Sequence, residues 1–204
     1  MGYLGNQITT VFPTSISVDS ATISGNASVG GTLGVTGATT LSNTLGVTGV
    51  STLSDNIVFG ASSKGVHLGV TTATASNLID DYEEGTWTPS LHDGSTVITI
   101  ASPNAHYTKA GNSVHAEFYL QRNDSASNTA PMILGGLPFA HKAIPAVVGQ
   151  CWIDNSSSDI RCMLYLPSSY SQLYFIKTGG SASYVSFNEF GNSRYIYGAF
   201  DYLV

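Results

Sequence analysis

Apolar side chains recur every six residues between Ala21 and Phe59. Positions 23, 29, 35, 41, 47, 53 and 59 hold Ile, Val, Val, Leu, Val, Leu and Phe, and two residues earlier stand Ala21, Ala27, Leu33, Thr39, Leu45, Ser51 and Ile57. Two residues beyond the main apolar position come Gly25, Gly31, Gly37, Asn43, Gly49 and Asp55. Those residue types tolerate a positive φ at a corner. A twelve-residue block, Thr32 to Asn43, is repeated at once as Thr44 to Asp55 with nine identical positions. Along an extended strand, residues i and i+2 share a face. Each unit therefore reads as a short strand with an inward pair, then a turn. A helix fits poorly, because the repeat is rich in Gly and β-branched residues and six is not a multiple of 3.6. A fixed short period with turn residues at each corner is the pattern of a β-solenoid.

One chain is badly placed to close such a solenoid alone. Several inward residues are small (Ala21, Ala27, Thr39, Ser51), and only seven units exist. Their burial in one copy hardly offsets backbone ordering at roughly 1–2 kcal/mol per residue. Three copies wound about one axis would each supply one side of a prism, about 34 Å long if strands stack at about 4.8 Å. The expected trimer core comprises Ile23, Val29, Leu33, Val35, Leu41, Leu45, Val47, Leu53, Ile57 and Phe59. The competing reading is a flexible Gly/Ser/Thr linker. Linkers rarely hold an apolar register over seven units, which favours the stalk.

Residues 1–20 carry Tyr3, Leu4, Ile8, Val11, Phe12 and Pro13 ahead of the repeat. These either dock the trimer into a larger particle, with Tyr3, Leu4, Val11 and Phe12 as the anchor, or cap the first turn of the stalk. After Phe59 the register fades. Leu78–Pro89 then brings Asp80, Asp81, Glu83 and Glu84 together in a sparsely charged chain. The spacing matches no calcium loop, so a solvated neck is expected there. From Thr86 onward, short apolar runs alternate with turn residues. Strands are expected at 97–100, 107–109, 114–120, 132–134, 146–154, 160–166, 173–177, 184–187 and 194–204. Regular turns without helical periodicity point to a β-sandwich or jelly roll. The last run, Tyr195 to Val204, is apolar on both faces, and a subunit interface would supply its second cover. The expected architecture is all-β: an N-terminal anchoring segment (1–20), a trimeric, intertwined six-residue-repeat solenoid stalk and neck (21–77), and a C-terminal sandwich or jelly-roll head (78–204).

Composition narrows the function. Hydrophobic residues make up 42% of the 204 residues, but charged residues only 10%, against about a quarter in ordinary globular chains. Ser, Thr, Asn and Gly fill the polar positions, as on rigid, extracellular β surfaces. Net charge is −6, with seven Lys and Arg and no basic run, so a phosphate-tracking nucleic-acid surface is not expected. No run of 18 apolar residues exists, and membrane insertion is not expected. The start has no basic, then apolar, leader pattern. The expectation is release by lysis or delivery within a particle.

Recognised catalytic patterns are missing. The five histidines form no i, i+2 or i, i+4 pair, and there is no Cys-x-x-Cys, Gly-x-Ser-x-Gly, P-loop or dinucleotide fingerprint. Neither a metal nor a cofactor is expected, and Glu117, Asp124, Asp154, Asp159, Glu189 and Asp201 are few for glycoside cleavage. Cys151 and Cys162 flank a plausible hairpin loop and would lie opposite one another; two buried free thiols are preferred over a disulfide. Aromatic residues crowd the distal region, among them Tyr119, Trp152, Tyr165, Tyr174, Tyr195, Tyr197 and Tyr202. Most must be core. Of those left to meet a ligand, Tyr170, in the loop Pro167 to Ser171, is singled out as the receptor-binding candidate.

Three stretches resemble the short fibre and spike proteins of tailed bacteriophages, notably those of marine bacteria and cyanobacteria. They are the tandem Thr-Leu-Gly-Val-Thr-Gly units, the junction Asp81-Tyr82-Glu83-Glu84-Gly85-Thr86-Trp87-Thr88-Pro89, and Tyr107-Thr108-Lys109-Ala110-Gly111-Asn112-Ser113-Val114 followed by Gly136-Leu137-Pro138-Phe139. The resemblance covers the stalk and the first half of the head. It implies a homotrimeric virion protein, assembled in the host cytoplasm, held to other virion proteins by its N-terminus and meeting host-surface glycan or protein with its C-terminal domain. Cleaving relatives usually carry much longer solenoids, which argues against an enzyme. The alternative is a structural particle protein such as a head fibre, capsid decoration or tail adaptor.

Overall fold

A computed structural model describes residues 19–101, 103–124, 128–143, 145–154, 158–168, 171–179 and 182–204. The chain divides into two units, Met1–Asn56 and Ile57–Val204. In the first unit the described backbone forms no hydrogen-bonded strand, but it bends at 24–25, 30–31, 37, 42–43, 48–49 and 54–55. These are the expected corners, six residues apart. At the two corners without Gly the side chain serves: Asn43 Oδ1 accepts from the Thr44 amide at 2.9 Å, and Asp55 Oδ1 from that of Asn56 at 2.7 Å. The segments between bends find no partner strand among the described residues. The anchor candidates Tyr3, Leu4, Val11 and Phe12 lie outside the described residues.

The second unit is all-β. A two-stranded ladder pairs β1 (Val66–His67) with β2 (Leu78–Ile79). The other strands are β3 (Tyr82–Thr86), β4 (Ser90–His92), β5 (Val97–Ile98), β6 (Asn104–Ala110), β7 (Ser113–Gln121), β8 (Ile133–Gly135), β9 (Ala146–Ile153), β10 (Ile160–Leu166), β11 (Leu173–Lys177) and β12 (Tyr195–Leu203). Short 3-10 turns occupy Ala75–Asn77 and Phe187–Glu189. The ten strands from β3 onward form one continuous sheet in the order β3-β6-β7-β12-β9-β10-β11-β8-β4-β5. No gap splits it into two hydrogen-bonded sheets.

That sheet has to curl. Laid flat at about 4.8 Å per strand, β3 and β4 would sit roughly 38 Å apart. The link Trp87 to Pro89 reaches only about 14 Å. A bridge between Ile100 and Arg122 ties the β5 side to the end of β7, which holds the curl. Inside lies one core, with Leu91, Leu120, Leu134, Leu164, Phe175 and Ile196 wholly buried. Trp87 packs edge-on against Phe118 and Phe200, centroids 6.4 and 5.9 Å away. Arg122 is 2% exposed. Its guanidinium donates to Asp124 Oδ1 at 2.9 Å and to the carbonyls of Phe187 and Phe190, whose rings flank it.

Alternation explains the strands that were anticipated. β7 buries Val114, Ala116, Phe118 and Leu120 and exposes Ser113, His115, Glu117 and Tyr119. β12 lies between β7 and β9, turning Ile196, Phe200 and Tyr202 inward while Tyr197 and Leu203 remain 42% and 43% exposed. In the hairpin joining β6 to β7, Gly111 sits at φ +58°, a conformation that favours glycine. Two expectations need correction. Residues 184–187 make only isolated bridges at Tyr184 and Ser186 before the second 3-10 turn, because Ser186 and Glu189 form a capping box that starts a helical turn instead. Cys151 and Cys162 are not free thiols but a disulfide. They face each other directly in the β9–β10 register with Cα atoms 5.3 Å apart, within the span such a bond requires.

Candidate outer-face binding site

Register across five strands builds the site. Asn104 on β6 pairs with Tyr119 on β7, Tyr119 with Tyr197 on β12, Tyr197 with Trp152 on β9, and Trp152 with Arg161 on β10. Each of these residues alternates with a buried neighbour, so all five stand on the outer face of the sheet. At about 4.8 Å per strand the row is roughly 19 Å long. The adjoining row, two residues along each strand, reads His106, Glu117, Ala199, Gln150 and Met163. Three aromatic positions are thus flanked by a line that is polar at His106, Glu117 and Gln150, small at Ala199 and apolar at Met163.

The rings are ordered against each other. Tyr119 stacks with Tyr195 at 5.3 Å and 19°, and with Tyr197 at 6.2 Å and 20°. Desolvation, then the neighbouring Tyr195, hold the Tyr119 hydroxyl above the ordinary tyrosine range, so it remains a neutral donor. The Arg161 guanidinium lies over the Trp152 ring at 5.1 Å. His106 Nε2 is 2.8 Å from Asn104 Oδ1. Two shallow troughs meet at Tyr197. One, of about 540 Å³, runs along Gln150, Trp152, Arg161, Met163 and Thr178. The other, of about 250 Å³, runs along Asn104, His106, Glu117 and Tyr119. Chemically, the face offers aromatic surface, phenol hydroxyls, an amide, a carboxylate and one stacked cation.

Tyr170 lies outside the described residues. The ten residues assigned to a trimer core are all solvent-exposed in the single chain, from 45% at Phe59 to 71% at Leu33. Off-register Val50 and Val58 are more exposed still, at 94% and 85%. Within the aromatic group, Phe175, Phe187 and Tyr202 are core, while Tyr119, Trp152, Tyr195 and Tyr197 share the outer face. The row was not visible beforehand because its members are gathered by strand order, which a linear pattern does not encode. Alternation within β7 and β12 was the available signal.

The acidic stretch runs into edge strand β3, with Asp80, Asp81, Glu83 and Glu84 all solvent-exposed. Asp81 pairs with Lys109, Glu83 accepts from the Tyr107 hydroxyl, and Glu84 accepts from Tyr82 at 3.1 Å. Among the described residues, no three His, Cys, Asp or Glu side chains are grouped as a metal site requires. No helix among them is long and apolar enough to cross a membrane.

No protein-family model and no curated protein sequence matches the chain. Among solved structures, the crystal structure of the Dettilon tailspike protein is similar over 58% of this chain and 23% of its own length, at 18% identity and a TM-score of 0.46. The chain therefore spans less than a quarter of that structure.

Proposed function

We propose that the chain is the subunit of a homotrimeric virion appendage, a tail fibre or spike, that binds a host-surface glycan or protein without cleaving it. One observation carries the reading. Ten apolar residues in strict six-residue register stand 45–71% exposed in the lone chain, on a backbone that bends at every corner and forms no ladder among the described residues. Such surface is hard to keep in water, and three copies supply both the missing ladder partners and the missing cover. Residues 1–20 would join the trimer to other virion proteins, and the sheet domain would meet the host.

The non-cleaving part is supported by how the carboxylates are spent. Asp81, Asp124 and Glu189 each form an ion pair, with Lys109, Arg122 and Lys177, and Asp201 Oδ1 lies 2.9 Å from His115 Nδ1. The brevity of the stalk, at seven units, favours as second reading a structural particle protein that binds no host ligand. Adsorption of the purified full-length chain to a panel of bacterial strains, with reducing-sugar release measured alongside, tests the proposal. Saturable adsorption without sugar release is expected. Trimer without adsorption supports the second reading, and sugar release sinks the non-cleaving one. Removal of residues 1–20 should leave a trimer that no longer enters particles.

A further inference from the structure

We infer that the outward row Asn104–Tyr119–Tyr197–Trp152–Arg161 is the receptor site, and that it takes an oligosaccharide laid across the strands with a carboxylate-bearing sugar at the Arg161 end. This rests on reading the chain as a receptor-binding appendage, and it names the site and ligand class that reading leaves open.

The mixture of groups selects a sugar over a protein. Protein interfaces also favour Tyr, Trp and Arg, but they set them in tightly packed patches whose core is depleted in charge. Here aromatic side chains occupy the three middle strands of the five, between Asn104 and Arg161, Tyr119 and Tyr197 keep 41% and 42% of their surface, and Glu117, Gln150 and His106 lie along one side. Sugar rings present apolar C–H faces and hydroxyl edges together, which matches aromatic positions with polar groups beside them. The two troughs meeting at Tyr197 are shallow and open, as suits a chain entering from either side.

Charge chooses the sugar. Lys109, Arg122 and Lys177 are each paired with a carboxylate of the protein. Arg161 instead is exposed and lies over Trp152 at the end of the row. Stacking fixes the guanidinium plane and leaves its edge to the ligand, the geometry for a bidentate carboxylate. Glu117, toward the opposite end, favours hydroxyls and repels a second acid. An acidic sugar at one end with neutral ones after it fits both.

The full-length chain should be applied to a glycan array printed with uronate- and sialate-bearing oligosaccharides and their neutral counterparts. Binding to acidic members above neutral ones is expected. Tyr197→Ala should weaken it at least tenfold, and Arg161→Gln should erase the acidic preference while neutral binding persists. The chain has two tryptophans, and Trp87 is buried. An acidic array ligand should therefore shift tryptophan emission in the wild type and leave Trp152→Phe unmoved. Binding to no array member overturns the proposal. So does binding unchanged in Tyr197→Ala, or a Tyr197→Ala variant that loses its oligomeric mass, since the face would then be a subunit contact. Failure of the parent reading looks different: the wild-type chain then sediments at single-chain mass. A trimer that adsorbs to cells equally well with Tyr197→Ala sinks only the platform.

Discussion

Leu45→Asp tests the trimeric stalk directly. Leu45 is 69% exposed in the single chain. Burying a whole Leu side chain contributes about 1.5–3 kcal/mol, so covering the remaining surface is worth roughly 1–2 kcal/mol per chain. Three copies make this roughly 3–6 kcal/mol per trimer, or about two to four decades in the association constant. Asp removes that gain and brings three carboxylates together in a dry interior, where none has a partner. Val50→Asp is the control, five residues away, off register and 94% exposed; it should shift association by less than about 0.5 kcal/mol. Sedimentation equilibrium over a range of concentrations reads both variants, with the wild type at three times the 21.3 kDa chain mass. A wild-type chain at single mass, with residues 19–59 mobile by NMR, would end the fibre reading. A Leu45→Asp protein indistinguishable from wild type would show residue 45 does not face the axis. Equal damage from Val50→Asp would mean that the six-residue register does not define the inside.

Other expectations concern the head. Arg122→Ala removes the buried guanidinium that donates to Asp124 Oδ1 and to the carbonyls of Phe187 and Phe190, and should cost about 1–3 kcal/mol in urea unfolding; a loss under about 1 kcal/mol would show that water replaces the guanidinium. Replacing both Cys151 and Cys162 by Ala opens a loop with a sequence separation of 11 and should cost about 2.8 kcal/mol on the chain-entropy estimate. The nine-residue β7–β12 pairing should keep the fold intact by circular dichroism. Tyr202 has its hydroxyl pushed up to about 12, desolvation outweighing the Phe139 hydrogen bond. Because the folded value lies above the unfolded value of 10.0, its contribution is complete below pH 10.0 and drains away as pH rises toward about 12. Tyr202→Phe should flatten that alkaline slope, and an unchanged slope would assign it to another group.

What could be read in advance depended on whether the pattern was local. The stalk corners fall where Gly, Asn and Asp predicted bends, because one unit and the next are contiguous. The bounds of β10 and β11 came out as expected, since Ile160–Leu166 and Leu173–Lys177 alternate apolar side chains between flanking turns. β3 and β4 were missed. Tyr82–Thr86 carries two glutamates and a glycine, and Ser90–His92 has one apolar residue; both are strands because β6 and β8 hydrogen-bond to them. Pairing, not propensity, decides such strands. The same limit hid the outer-face row. Its residues come from positions 104, 119, 152, 161 and 197, and only the sheet order places them side by side.

The disulfide and the outer face belong to one piece of geometry. Cys151 precedes Trp152 and Cys162 follows Arg161, and the cysteines pair across the same two strands as the tryptophan and arginine. Their side chains point inward, 7% and 2% exposed, while Trp152 and Arg161 point outward. A one-residue slip between β9 and β10 would exchange the two faces. The hazard is local, because the β9–β10 register shifts between Leu164 and Tyr165 on the far side of this pair. A covalent bond beside the bulge forbids the slip at the point where the cation must stay over its ring. Core and surface are therefore fixed by one constraint, and the oxidised pair adds positional control of Arg161 to its effect on unfolding.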